Sequence, residues 1–292
     1  MMTDRVRINA PAGESCEACG VSLDRDDAEK QCYQIKGYSI SRCQNCGLMW
    51  TVITDDMNLQ TIYTEDYFQG GVSDGYFDYL GSEKLLIREF QDRLNLVLAY
   101  QKSGRLLEIG CATGGFLEQA RKYFTVQGID VSEFAIGEAR KKGLDVECAT
   151  LESSCLVSPH YEVVVMFDAI EHLPNPAATL AKAYSLLSNG GYLLLTTGDT
   201  RSLMSRILGS RWRLMTPPQH LWFFGKDNID ILLTRLGFVV QSVTHQWRNV
   251  PLSLIWYQLF RGKIKPLPKF LGRIVLPVNL FDTMTVVARK PV

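Results

Sequence analysis

The chain has 292 residues, 46% of them hydrophobic and 21% charged, with 31 basic and 31 acidic side chains. That supports one sizeable α/β core plus a small accessory module and excludes wholesale disorder. No run of about 18 apolar residues offers a membrane span and residues 1–15 hold no apolar signal core, so a cytoplasmic protein is expected.

Neutrality hides a gradient. Residues 1–80 carry 6 basic and 13 acidic side chains, residues 81–199 carry 11 and 15, and residues 200–292 carry 14 and 3. An acidic front, a nearly balanced middle and a basic tail predict three regions with different partners.

The front holds four of the eight cysteines in two matched pairs, Cys16-Glu-Ala-Cys19-Gly20 and Cys43-Gln-Asn-Cys46-Gly47. In a chain of cytosolic type these read as metal ligands sooner than as disulfides. Two thiolates two residues apart reach one ion, and the following glycine lets backbone amides turn toward sulfur. Two such knuckles close a tetrahedral four-thiolate shell for a structural Zn2+. A redox C-x-x-C or four unrelated core thiols are the competing readings, but a redox motif needs no matched second copy. The alternating runs Gln31–Lys36 and Tyr38–Ser41 supply the two short strands of a zinc ribbon, within a module at 1–60. Its excess of acids makes nucleic acid a poor partner. Cys32, Cys111, Cys148 and Cys155 have no such partners and are expected as buried apolar residues.

Residues 61–104 read as a linker and helical cover, with Leu85, Leu86, Phe90, Leu94, Val97 and Leu98 at helical spacing between Ser82 and Tyr100. From 105 onward strand and helix alternate. An apolar strand from Arg105 runs into a glycine-rich turn and a helix at Phe116–Tyr123. A strand at Thr125–Ile129 ends at Asp130, and a helix carrying Phe134, Ala135, Ile136 and Ala139 precedes a strand near Leu144–Ala149. Tyr161–Phe167 is almost continuously apolar, as a strand buried on both faces is. Pro176 opens a helix to Leu187, Asn189-Gly190-Gly191 stops it, and Tyr192–Thr197 is the fifth strand. The order predicts a Rossmann-like, doubly wound α/β sheet with its site at the strands' C-terminal ends. A helix at Lys226–Leu236, a strand at Phe238–Thr244 and a last strand at Met284–Arg289 follow.

Gly110-x-Ala112-x-x-Gly115 matches a dinucleotide turn only weakly. Glu108, two positions before the first glycine, would repel a phosphate and favour a ligand of positive charge. S-adenosylmethionine, with an ammonium, a sulfonium and no phosphate, suits this turn better.

Leu107-Glu-Ile-Gly-Cys-Ala-Thr-Gly-Gly-Phe116 closely resembles the first motif of class I S-adenosylmethionine-dependent methyltransferases, with Ala112 where a second glycine is commonest. Asp130 matches the family's ribose-binding acid, and Phe167-Asp-Ala-Ile-Glu-His-Leu-Pro174 resembles its segment after the fourth strand. The resemblance spans residues 82–245. It implies seven strands with the last one antiparallel. It also implies a donor site built from Glu108, Gly110, Cys111, Ala112, Gly114 and Asp130, with Asp168 positioning donor or acceptor or simply forming a turn. Glu171-His172 and Thr216-Pro-Pro-Gln-His-Leu-Trp-Phe-Phe224 are similar to the small-molecule branch that includes ubiquinone-pathway, sugar and natural-product methylases. Some of these carry an N-terminal zinc ribbon and a Tyr-rich segment like Tyr63–Phe68. The resemblance gives Tyr63, Tyr67 and Phe68 a role in covering the donor, and aromatic packing between ribbon and core is the equal alternative.

Methyl transfer to a hydroxyl needs alignment, exclusion of water and a base. Of four histidines, His172 and His220 are the candidates, while His160 and His245 fall at strand edges. The bland alternatives are a capped helix residue for His172 and a brace of the Pro217-Pro218 loop for His220. The segment 247–281 holds Arg248, Arg261, Lys263, Lys265, Lys269 and Arg273 among apolar residues, with no acid. It reads as a peripheral membrane contact, as the lining of a cleft for an anionic small-molecule acceptor, or as a dimer or lid element. Pro251, Pro266, Pro268 and Pro277 argue against one long surface helix. An RNA methyltransferase and a non-catalytic cofactor-binding scaffold are the alternatives to a small-molecule enzyme.

Overall fold

A computed structural model describes residues 15–23, 31–53, 79–156, 160–253, 255–256, 267–268, 271 and 274–292. Tyr63, Tyr67 and Phe68 lie outside the described residues, as do Arg261, Lys263, Lys265, Lys269 and Arg273 of the basic 247–281 segment. Three strands come first: β1 (Gln31–Ile35), β2 (Tyr38–Arg42) and β3 (Met49–Val52). The α/β unit follows with α1 (Tyr79–Tyr100), β4 (Gly104–Ile109), α2 (Gly115–Ala120), β5 (Phe124–Asp130), α3 (Glu133–Lys141), β6 (Val146–Cys148) and β7 (Tyr161–Phe167). It continues through α4 (Pro176–Leu186), β8 (Leu187–Gly198), α5 (Leu203–Leu208), β9 (Trp222–Phe223), α6 (Lys226–Arg235) and β10 (Val239–Thr244). A small hairpin, β11 (Arg248–Pro251) with β12 (Val275–Val278), precedes β13 (Thr283–Arg289).

Seven strands form one sheet in the order β10-β13-β8-β7-β4-β5-β6. All neighbours are parallel except β13, which runs antiparallel to β8 and to β10. Alternation along the strands builds two cores. Leu106, Val163, Val165 and Leu194 face α1, α2 and α3 through Leu94, Val97, Phe116, Leu117, Ala135 and Ile136. Their sequence neighbours Leu107, Val164, Met166, Leu193 and Leu195 face α4 and α6 through Leu180, Ala183, Ile229 and Leu232. This is the period-two consequence of a sheet covered by helices on both faces. Each such side chain contributes about 1.5–3 kcal/mol by burial.

Two local expectations shift. The helix after the glycine-rich turn ends at Ala120, and residues 121–123 close as a turn with Tyr123 N–H bonded to Ala120 O. The Gly190-Gly191 pair does not separate helix from strand. It lies inside β8 as an irregularity, where Gly190 takes φ +79° and its N–H donates to Lys290 O. Glycine permits that left-handed residue without steric cost.

The front does not stand apart from this sheet. β1, β2, β3 and β9 form a four-stranded antiparallel sheet in which Trp50 pairs with Trp222 and Met49 with Phe223. Thr51 N–H donates to Leu221 O (2.8 Å) and its hydroxyl to His220 O (2.7 Å). Cys16, Cys43, Cys46, Leu48 and Trp50 share one buried cluster with Leu107, Ile129 and Val164. Arg235 at the end of α6 donates to Ala18 O and Glu17 O, and the Glu17 carboxylate accepts from Ala177 N–H at the start of α4. On the far side, buried Asp282 accepts from Trp212 Nε1, Arg213 Nε and Arg213 Nη2, each at 3.0 Å. Cys111 is buried as expected and Cys148 is half-buried, but Cys32 and Cys155 are exposed. An isolated cysteine's average preference for burial does not override its place at a sheet edge or in a loop. Among the described residues no helix is long and apolar enough to cross a membrane.

Candidate functional site

The C-terminal ends of β4, β5, β7 and β8 converge where the strand order reverses between β4 and β7, the position at which doubly wound sheets bind ligands. The turn after β4 is shaped by what cannot fit there. Gly110 (φ +78°) would place a Cβ 2.8 Å from Ala169 Cβ, and Gly114 (φ +76°) would place one 2.3 Å from Leu144 Cδ1. Ala112 takes φ +46°, a conformation that costs a non-glycine residue about 1–2 kcal/mol. It is held by the hydrogen bond from its N–H to Asp130 Oδ2 (2.8 Å), while Ser132 N–H bonds Asp130 Oδ1 (2.9 Å). Asp130 thus fixes the turn from the end of β5. Burial raises its pKa, and the donated N–H groups oppose the shift. The Cys111 thiol packs against Gly128 in the core and reaches Ala112 O at 3.8 Å, and burial pushes its pKa up.

Glu108 is buried at 4% exposure, and its Oε2 has no hydrogen-bond partner. Burial drives its carboxyl well above the usual range, with Arg93 pulling the other way and Asp130 adding to the rise. An acceptor atom removed from water and left unmatched costs about 1–3 kcal/mol. A cationic ligand in the turn supplies what is missing, and S-adenosylmethionine's ammonium and lack of phosphate fit this site.

Asp168 follows β7 with φ +54° and is braced on every side. Its N–H donates to Thr196 Oγ1, its Oδ1 accepts from that hydroxyl (3.0 Å), and its Oδ2 pairs with Arg93 Nη2 at 2.5 Å. Arg93, from α1, also binds Glu89 (2.7 Å) and lies 4.8 Å above the Phe167 ring. Sequence reasoning did not select Arg93. Its signal was faint: one basic residue four positions after Glu89 on a helix whose apolar stripe packs on the sheet.

His172 ends a short 3-10 turn (Ile170–His172), and His220 lies in the loop that contains the cis Pro217–Pro218 bond. The fold brings their rings to 4.7 Å at 80°. Each Nδ1 lies 2.8 Å from a backbone carbonyl, Gln219 O for His172 and Leu214 O for His220. A carbonyl only accepts, so each ring carries its proton on Nδ1 and leaves Nε2 as an acceptor. Burial lowers both pKa values. His220 falls to about 3, with neighbouring His172 adding to the fall and Asp168 opposing it. Glu171 completes the cluster, with one ligand atom from each of Glu171, His172 and His220 within 4.8 Å of the others. Two neutral imidazoles beside a carboxylate can accept a proton or hold a cation. His245, set aside at a strand edge, instead pairs with buried Asp199 at 2.9 Å. His160 is exposed.

The two knuckles are built alike. Gly20 N–H bonds Cys16 O and Gly47 N–H bonds Cys43 O, with both glycines at positive φ. The Cys16 and Cys46 sulfurs are 3.6 Å apart, those of Cys19 and Cys43 3.8 Å, and all four lie within 4.8 Å of one another. A tetrahedron with Zn–S near 2.3 Å has edges of about 3.8 Å, so the donor set and its spacing fit a zinc ion. Burial raises Cys19, but hydrogen bonds from Asn45 and the Val21 N–H outweigh it and bring the thiol down to about 7.

Residues 82–243 match the methyltransferase domain family, more than half of the chain. The ubiquinone biosynthesis O-methyltransferase of Alkalilimnicola ehrlichii is 30% identical over 154 residues, covering 48% of this chain and 62% of that protein. The enzyme of the same name from Yersinia pestis is 29% identical over 163 residues, covering 51% and 66%. The chain thus spans less than two thirds of the length of these curated relatives. Among solved structures, a SAM-dependent methyltransferase from Thermotoga maritima superposes with TM-score 0.52 at 20% identity, over 73% of this chain and 94% of that one. The magnesium protoporphyrin IX methyltransferase of Synechocystis, with bound SAH, gives 0.51 at 14% identity, over 79% and 99%. These likenesses carry the fold. With the family match and the glycine-rich turn, they make the chain a member of the methyltransferase domain family, of the class I S-adenosylmethionine-dependent kind.

Proposed function

We propose that the chain transfers a methyl group from S-adenosylmethionine to a small-molecule acceptor, an anionic sugar-like or natural-product hydroxyl compound. The observation that carries the donor is Glu108, a buried carboxylate with an unmatched oxygen at the switch point of the sheet. Bound there, S-adenosylmethionine supplies a methyl on a sulfonium that leaves in a single displacement. Glu108 holds the donor's positive charge, and the backbone of Gly110, Cys111, Ala112 and Gly114 lets it approach closely. Asp130 fixes that turn and meets the ribose. Asp168, clamped by Arg93 and Thr196, orients the side of the pocket next to β8. His172 and His220 present Nε2 lone pairs to the acceptor, and one of them takes its proton at Nε2. The carboxylates of Glu171 and Asp168 offset the charge that then develops on a buried ring. Cys16, Cys19, Cys43 and Cys46 would hold a structural Zn2+, whose closed shell of four thiolates leaves no position for a reactant. The ribbon's acidic region and the relatives' names favour a small molecule over RNA.

The test uses methyl-labelled donor and a fractionated small-molecule extract, following which fraction gains label. Donor binding should collapse in Glu108→Ala and Asp130→Ala. Parent-like donor affinity in both variants overturns the site, and label reaching only RNA overturns the acceptor class.

A further inference from the structure

A second cavity lies away from the residues at the switch point. It opens beside the second knuckle and encloses about 470 Å³. Arg42 at the end of β2, Arg201 three residues beyond β8, the amides Gln44 and Asn45, and Gly47 line it together with Cys32 and the knuckle cysteines Cys43 and Cys46, and no carboxylate does. Gly47 (φ +77°) keeps its floor open. A Cβ there would lie 3.1 Å from Arg42 Nη2 and 3.6 Å from Arg201 Nη2, so guanidinium groups from distant parts of the sequence close on one glycine. Arg201 Nε pairs with Asp227 Oδ2 at 3.0 Å, whereas Arg42 makes no ion pair among the described residues. The one carboxylate nearby pairs with Arg201, so the Arg42 guanidinium is left to meet an anion in the cavity. The neighbouring side-chain amides add further hydrogen-bond donors.

We infer that this cavity binds a phosphoryl group, with Arg42 and Arg201 bridging its oxygens. Planar guanidinium forks match phosphate oxygens in pairs, and an anion between two of them relieves their mutual repulsion. Arg201 stands beyond the C-terminal end of β8, the sheet edge that also presents Glu108, Asp130 and Asp168. A phosphoryl group carried by the acceptor would therefore be held by the ribbon side of the molecule. That placement gives the N-terminal sheet a part in acceptor binding. This last step rests on the proposed methyl transfer to an anionic acceptor; the binding site itself does not. The competing role for the two arginines is to balance the negative tetrathiolate that zinc would form with Cys43 and Cys46 in the cavity wall.

The zinc-loaded full chain is titrated calorimetrically with inorganic pyrophosphate and inorganic phosphate at fixed ionic strength, with chloride as the blank. Saturable pyrophosphate binding with a dissociation constant below about 1 mM is expected. Arg42→Gln and Arg201→Gln should each weaken it at least about tenfold, leaving zinc content and thermal midpoint at parent values. Arg42→Gln leaves the Asp227 pair intact, so it remains decisive if the Arg201 variant folds poorly. No saturation by about 10 mM, unchanged affinity in Arg42→Gln, or loss of zinc from that variant overturns the inference. A methyl-transfer assay then separates the two sources of the anion. Pyrophosphate competing with the acceptor and not with the donor supports a phosphoryl group on the acceptor. Binding without inhibition supports free phosphate at the same site.

Discussion

Replacing Glu108 by Gln separates ligand binding from stability, because the two effects have opposite sign. In the free chain the Glu108 carboxylate is buried, its Oε2 unmatched, and its pKa raised mainly by burial. A group raised in the folded state binds more protons folded than unfolded, so stability falls as pH climbs from about 4.5 through the folded value. The amide has no charge to desolvate, so Glu108→Gln should gain about 1–2 kcal/mol above that window. For a chain of this size the thermal midpoint should rise by about 2–4 °C per kcal/mol. Donor binding moves the other way. Two charges about 4 Å apart attract by about 4 kcal/mol at an effective dielectric of 20. Glu108 is already dehydrated before binding, so about 2–3 kcal/mol should survive as net loss, equivalent to roughly 30- to 150-fold weaker binding. Calorimetry with S-adenosylmethionine and S-adenosylhomocysteine reads this directly. Equal loss with both ligands puts Glu108 against the shared ammonium. Parent-like affinity, or a lower thermal midpoint at pH 8, would refute the reasoning.

Three further outcomes follow from the same geometry. Asp282→Asn breaks a buried pair with Arg213 while Trp212 keeps its partner, so unfolding in urea should show a loss of about 3 kcal/mol. Chelating zinc from the proposed four-cysteine site should lower the thermal midpoint of the whole domain by about 10 °C or more, since Cys16, Cys43 and Cys46 lie in its main core; a change confined to the ribbon's own spectroscopic signals contradicts that. His172→Gln or His220→Gln should cut kcat/KM for a hydroxyl acceptor by about a hundredfold at unchanged donor affinity. Because burial holds both imidazoles below the usual histidine range, the parent's rate should not fall between pH 8 and 6 on their account, and a fall centred on pH 6.5 in parent but not variants argues against buried neutral rings.

The parallel sheet was readable because its signal is local. Tyr161–Phe167 is apolar along its length since helices cover both faces, and the observed strand has those same bounds. Pro176 marked a helix start through backbone chemistry alone. The two knuckles were equally legible, because ligand spacing is itself the geometry. What escaped were contacts between distant segments. The two-residue β9 is too short to show a period, and it exists as a strand because it pairs with the edge of β3. Arg93 looks like an ordinary helix-surface cation until the fold carries Asp168 to it, 75 residues away. His172 and His220 were each recognisable as candidates, yet nothing in the sequence put their rings together.

The pairing of Trp50 with Trp222 also sets an order of events during synthesis. A ribosome delivers both cysteine knuckles and β3 early, but the strand that covers β3 emerges only after β4 to β8 have been made. Until then β3 presents an open edge carrying Met49 and Trp50, the kind of surface that invites pairing with another nascent chain. The N-terminal sheet is therefore first in sequence and among the last parts of the molecule to be finished.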